Sequence, residues 1–159
     1  MTKIINQDMV KSLTLIKLIV RGRLMTIAGL QQGGCLCGAI RYQLTATPFS
    51  ADFCHCRQCQ KSTGSVLGAW MDFNIDEVSW LVGSVTEFTS SEFVRRGFCH
   101  HCGSQLTFRD TRHPSYLTLS IVSLDEPNAV QPSYHIHTDS QLKWLALNDT
   151  CVRYPQSRS

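Results

Sequence analysis

The chain has 159 residues, 43% of them hydrophobic and 17% charged, with a net charge of +3, which fits one soluble domain able to bury a core of its own. Its fifteen lysines and arginines are scattered from Lys3 to Arg158 with no run longer than Arg95-Arg96, too thin a pattern for a nucleic-acid surface. Eight cysteines in that length fall short of the roughly 8–10% of a secreted disulfide scaffold, and their clustering favours metal ligation in a reducing, cytoplasmic setting.

In chain order, residues 1–28 read as an extension. LTLIKLIV is apolar but short and is broken by Lys17. Arg21 and Arg23 follow it without a small-residue cleavage site, so neither a membrane span nor a secretory signal fits. A frayed helix or an extra strand packed on the domain is expected there, and residues 29–159 form the single domain. Its native start is expected near Met25, where MTIAGLQQGGCLCG supplies the lead-in of a first strand.

Next comes a short cysteine pair, Cys35 and Cys37 in GGCLCG. Residues 39–46 alternate apolar and polar and read as a strand that Pro48 ends. Residues 49–53 form a short strand leading into FCHCRQCQKSTG, which holds Cys54, Cys56 and Cys59 at the end of a rigid element. Residues 66–73 are the next strand. Residues 78–82, 85–89 and 92–98 are short strands separated by Gly83-Ser84 and Ser90-Ser91, which carry hairpin-turn chemistry. A second pair, Cys99 and Cys102 in FCHHCG, then opens into a hairpin of residues 104–110 and 116–122. Residues 123–129 are a turn with room for one helical turn, residues 134–137 form one more short strand, and the tail after Trp144 reads as irregular.

Three thiols within six positions cannot all pair as disulfides, whereas one metal ion can take all three thiolates. The C-x-C-x-x-C loop leaves the fourth corner of a tetrahedral zinc without a ligand of its own, and an open corner separates a catalytic zinc from a structural one. Cys35, Cys37, Cys99 and Cys102 together supply the four sulfurs that close a structural shell. Gly38 and Gly103 follow the second cysteine of each pair, where a metal knuckle needs positive φ. Cys151 is left over as an unengaged thiol.

GGCLCGAIRY, CHCRQCQKSTG, RRGFCHHCGSQLTF and SLDEPNAVQPSYHIH resemble, in that order, the glutathione-dependent formaldehyde-activating enzyme family, which includes domains of the centromere protein V type. The likeness spans residues 33–155. It implies a mainly β fold of several short, coiled antiparallel sheets organised around zinc-binding cysteine knuckles. It also implies a structural zinc on the outer pairs and a second zinc on the triplet, where the thiol of glutathione is handled as it adds to formaldehyde to give S-hydroxymethylglutathione. The activity implied is that of a carbon–sulfur lyase. A non-catalytic glutathione- or protein-binding zinc module, or a purely structural zinc domain, remains the alternative.

A zinc held by three thiolates is a weak Lewis acid that suits binding a further thiol better than making hydroxide. The expected partner is therefore a small-molecule thiol, glutathione first. His55 is expected either as a proton shuttle beside the catalytic Cys54, Cys56 and Cys59 or as a histidine that packs behind them or faces solvent. Arg57, Lys61 and Arg96 are candidate contacts for a glutathione carboxylate, with plain solvated surface as the alternative. Ser62, Thr63 and Gly64 suit a backbone nest or a turn. His100 and His101 are expected to be exposed. His135 or His137 could supply a fourth ligand that would close the second site. Trp70, Trp80 and Trp144 are expected in the core or a pocket wall.

Overall fold

In the computed structural model the described residues are 18–20, 23–25 and 31–158. Within the segment read as an extension, β1 (Leu18–Val20) and β2 (Arg23–Met25) pair antiparallel. The rest of residues 1–30, including the expected lead-in after Met25, lies outside the described residues. From residue 31 the chain is mainly β. Strands β3 (Gln31–Gly34), β4 (Arg41–Leu44) and β7 (Val78–Val82) form a three-stranded antiparallel sheet in the order β3-β4-β7.

The larger sheet has eight strands. Its members are β5 (Ser50–Cys54), β6 (Gly68–Asn74), β8 (Thr86–Thr89), β9 (Val94–Phe98), β10 (Gln105–Asp110), β11 (Tyr116–Ser120), β12 (Tyr134–Ile136) and β13 (Val152–Arg153). They lie in the order β13-β12-β5-β6-β11-β10-β9-β8. The sheet is mixed, because β12 runs parallel to both β5 and β13. The hairpin expected from residues 104–122 forms as β10 against β11. The turn expected at residues 123–129 includes a short 3-10 helix at Pro127–Ala129. The irregular tail is corrected in one respect: residues 152 and 153 add an edge strand.

Side chains alternate across a strand, so the register assigns each residue a face. On one face of the large sheet Ala51, Met71, Phe73, Leu117 and Leu119 are buried together with Tyr42 and Leu44 of the small sheet. That apolar layer holds the two sheets together, and Tyr42 meets Trp80 edge to face at 5.9 Å between ring centroids. The opposite face carries Asp52 and Cys54 of β5, Trp70 and Asp72 of β6, and Thr118 of β11, all lining one cavity. Burial on this second face belongs to polar groups as much as to apolar ones. Asp52 is 6% exposed and Thr118 also 6%.

Among the described residues one α-helix interrupts the β pattern. α1 (Arg57–Thr63) begins directly after β5, with Cys56 as N-cap accepting a hydrogen bond from the Cys59 N–H at its sulfur. Gly64 ends it at a φ of +65°, the left-handed cap that glycine takes without steric cost. Ser62 and Thr63, weighed above as part of a nest, are instead helical, and each donates its hydroxyl to the Cys59 carbonyl.

Candidate metal centre and active site

The two outer cysteine pairs sit at hairpin turns of different sheets, Cys35 and Cys37 between β3 and β4, Cys99 and Cys102 between β9 and β10. Each turn closes the same way, with Cys35 N–H to the Ile40 carbonyl at 3.0 Å and Cys99 N–H to the Ser104 carbonyl at 2.9 Å. Gly38 and Gly103 have φ of +77° and +76°, as the knuckle chemistry requires. The four sulfurs come within 4.8 Å of one another, with Cys35 to Cys37 at 3.5 Å and Cys37 to Cys99 at 3.8 Å. The Ser104 hydroxyl hydrogen bond, then the Ser104 N–H, pull the Cys102 thiol down to about 5. This group could hold a metal ion, and an ion there would staple the small sheet to the large one.

Cys54, Cys56 and Cys59 form a second group within 4.8 Å. Cys54 ends β5, Cys56 caps the helix and Cys59 lies on its first turn, so a strand end running into a tight helix brings the three together. Hydrogen bonds with Cys54 and then Cys59 hold the Cys56 thiol far below its usual range, and the same contacts with Cys56 and Cys59 push Cys54 far above. Thiols crowded in this way cannot all ionise without a cation among them. All eight cysteines are free of disulfides.

The triplet opens on a cavity of about 680 Å³ that takes in the polar face of the large sheet. Arg96 of β9 is 4% exposed, and its guanidinium donates to Cys59 Sγ at 3.8 Å, to Ser62 Oγ at 3.2 Å and to Gln58 Oε1 at 3.4 Å. It also lies 5.3 Å from the Phe108 ring centroid. Arg57 is exposed, lines the same cavity and pairs with Gln60 Oε1. Lys61 does not line that cavity. It borders a neighbouring groove that it shares with Arg96, Ser62 and Phe88.

His55, weighed as a proton shuttle, as a residue packed behind the ligands or as solvent-facing, is fully buried and does not line the cavity. It continues the β5 alternation, with its N–H bonded to the Ile136 carbonyl at 3.0 Å, and so faces away from Cys54 and the cavity. Its Nε2 lies 2.8 Å from His135 Nδ1, and His135 Nε2 lies 3.1 Å from each Asp149 carboxylate oxygen. With one proton per ring, His135 donates to Asp149 and accepts from His55, which leaves the bare His55 Nδ1 as the unpartnered atom. Phe53 and His55 both pack on the His135 ring, at 5.0 and 5.1 Å. Both nitrogens of His135 are thus engaged away from the triplet. His137 lines the cavity at a φ of +57°, with its Nε2 3.3 Å from Ser157 Oγ.

Several contributors have no local sequence signal. Gln60 is 5% exposed and donates to the His55 carbonyl at 2.8 Å and the Ser140 carbonyl at 3.2 Å, tying the metal loop to the chain after β12. Asp149 lies in the tail. Cys151 is not an isolated thiol, since its sulfur falls within 4.8 Å of ligand atoms of His135 and Asp149. Burial lifts Asp52 up to about 7, with the charges of Asp72 and then Cys56 adding to it. Asp72 is raised too, by burial, against a hydrogen bond from Thr118. Trp70 walls the cavity and Trp80 packs on the core, whereas Trp144 is 72% exposed and belongs to neither. His100 and His101 are exposed.

No helix among the described residues is long and apolar enough to cross a membrane. No curated protein matches the chain. A crystal structure of a Rhodobacter sphaeroides protein is similar over 77% of this chain and 98% of that one, at 16% identity and a TM-score of 0.49. The family model described as glutathione-dependent formaldehyde-activating enzyme matches residues 30–140, more than half the chain and every cysteine of both clusters. The chain belongs to the glutathione-dependent formaldehyde-activating enzyme family.

Proposed function

We propose that this protein is a zinc-dependent carbon–sulfur lyase of the formaldehyde-activating type, which joins glutathione and formaldehyde as S-hydroxymethylglutathione in a reducing, cytoplasmic compartment. Two zinc ions per chain are part of the reading, one on Cys35, Cys37, Cys99 and Cys102 and one on Cys54, Cys56 and Cys59. The sulfur separations of 3.5 and 3.8 Å in the first group suit the roughly 3.8 Å edge of a tetrahedron with zinc–sulfur bonds of about 2.3 Å. The observation that carries the function is the set of three converging thiols, opening on a cavity of about 680 Å³, a volume within the usual range for small-molecule sites.

When bound to three thiolates, zinc supplies a soft site that takes a further thiol as its thiolate. The chain's residues do the rest. Arg96 presents positive charge against the sulfurs and, with Arg57, suits a glutathione carboxylate. Trp70 and Phe108 wall the cavity and keep water from the reacting groups. His55, His135 and Asp149 hold the metal loop in register from behind. In the reaction the thiol sulfur bonds to the carbonyl carbon, the carbon–oxygen π bond opens, the oxygen takes up a proton and the thiol proton is released.

His55 is buried outside the cavity, where His137 is the one imidazole among the described residues; loss of the shuttle expected at His55 favours a second reading, a carrier that binds glutathione without turnover. Formation of S-hydroxymethylglutathione, followed with and without stoichiometric zinc-loaded protein, separates the two. A rate that rises with protein and falls with Cys56→Ser is expected for the enzyme. A rate equal to the uncatalysed addition would leave only the carrier.

A further inference from the structure

The cavity face that holds the thiols also holds two carboxylates that make no salt bridge among the described residues, although Arg57 and Arg158 line the same cavity. In the β5–β6 register Ser50 faces Asp72 and Asp52 faces Trp70, so Asp52 and Asp72 are diagonal neighbours on one face. Both line the cavity. A third carboxylate there, Asp110, is paired with Arg112, and Arg96 is committed to Cys59, Ser62 and Gln58. Among the described residues neither Asp52 nor Asp72 enters a salt bridge. Asp72 Oδ1 accepts a hydrogen bond from Thr118 Oγ1 at 2.6 Å. Asp52 is only 6% exposed, and its Oδ2 is buried with no hydrogen-bond partner among the described residues.

A buried carboxylate oxygen without a donor is costly and rare, and it calls for a group that the chain itself does not supply. The group must bring donors and positive charge, because a second carboxylate stands beside it. An ammonium brings three N–H donors and a full charge, where a hydroxyl brings one donor and none. The position also suits a substrate held by sulfur. Asp52 and Cys54 are two residues apart on the same face of β5, a strand repeat of about 6.5–7 Å, within reach of an amine and a thiol carried by one small flexible molecule.

We propose that Asp52, with Asp72 beside it, is the subsite for a cationic nitrogen of the substrate, so that the cavity selects thiols bearing a free ammonium group over those without one. This rests on the thiol reading of the triplet and adds a specificity determinant to it. The carboxylates fix the amino end of the ligand while the cysteine cluster and Arg96 receive the sulfur end.

Calorimetric titration of the zinc-loaded full chain with glutathione and, separately, with N-acetylglutathione tests it. The two ligands share sulfur and carboxylates and differ in the ammonium. Wild-type protein is expected to prefer glutathione by about tenfold or more, and Asp52→Asn, which keeps the shape and removes the charge, to bring the two affinities together. Asp72→Asn is expected to narrow the ratio less. Equal affinities in the wild-type protein, a comparison that needs no variant to fold, would overturn the ammonium subsite while leaving thiol binding intact. An unchanged preference in a folded Asp52→Asn protein would place the selectivity elsewhere and overturn it as well. Failure of both ligands to bind would overturn the thiol reading itself, and the subsite with it.

Discussion

The four-cysteine and three-cysteine clusters use the same side chain for opposite ends. The first joins two hairpin turns from separate sheets and packs against Ile40, Leu106 and Trp80, so what it holds together is the fold. The second is assembled from one strand end and one helical turn. It borders a cavity whose lining includes carboxylates and arginines, so what it presents is a reactive surface. On the proposed reading sulfur count follows the same division, since four thiols would complete a tetrahedral shell and three would leave a corner for a ligand. Ligand sites keep such incomplete groups at a cost in stability that the rest of the molecule offsets.

The largest expected difference comes from breaking each cluster in turn. Cys99→Ser, at a fully buried sulfur, is expected to leave the chain unfolded or aggregated, because the binding energy of a structural metal is itself folding energy and can exceed the 5–15 kcal/mol typical of whole domains. Cys56→Ser is expected to keep the fold while abolishing glutathione binding. Circular dichroism and metal content, measured on both variants, check this. Similar folding defects in the two would erase the distinction.

Arg96 belongs to the reactive cluster but is as buried as a core residue. Arg96→Ala is expected to cost about 2–4 kcal/mol, since it empties a site that is 4% exposed and removes the cation over Phe108. It should also weaken glutathione binding by about tenfold. Urea titration and calorimetry read the two effects separately. His135→Ala, behind the same loop, is expected to cost about 2–4 kcal/mol by leaving a cavity between Phe53 and His55. Its metal-binding isotherm should show one weakened site and one unchanged site.

The smallest effect lies nearest the structural cluster. Arg41 of β4 pairs with Asp125, and that hydrogen bond, then burial in opposition, leaves Asp125 below the usual carboxylate range. A lowered folded pKa contributes stability above the unfolded value of 3.8, and the contribution disappears as pH falls through the folded value. Half of the Asp125 side chain is exposed, so Asp125→Asn is expected to cost only about 0.5–1 kcal/mol at pH 7. That difference should vanish in acid, as denaturation of both proteins at the two pH values would show.

The strands were readable because alternation and turn residues mark them, and residues 78–82 are a strand with the bounds expected from VSWLV. The ligand groups were readable because cysteine spacing carries its own chemistry. What alternation alone could not reveal is that the polar face of the large sheet is a cavity wall and not open surface. Asp52 and Asp72 therefore carry no local signal, whereas Arg96 was legible as a candidate carboxylate contact, with strand surface as the alternative. α1 has no sequence signal because RQCQKST has no apolar stripe, whereas a His55 directed away from the ligands follows from strand alternation alone. The His135–Asp149 contact joins positions fourteen apart through an irregular segment, with no periodicity to betray it.

The corner that a zinc ion on the triplet would leave open is accessible to X-ray absorption at the zinc edge, on zinc-loaded protein before and after glutathione is added. A light oxygen or nitrogen neighbour giving way to one further sulfur on addition is the expected result. A nitrogen or oxygen neighbour that persists unchanged at saturating glutathione would mean that the corner is already closed, and would contradict the division between a structural and a reactive cluster.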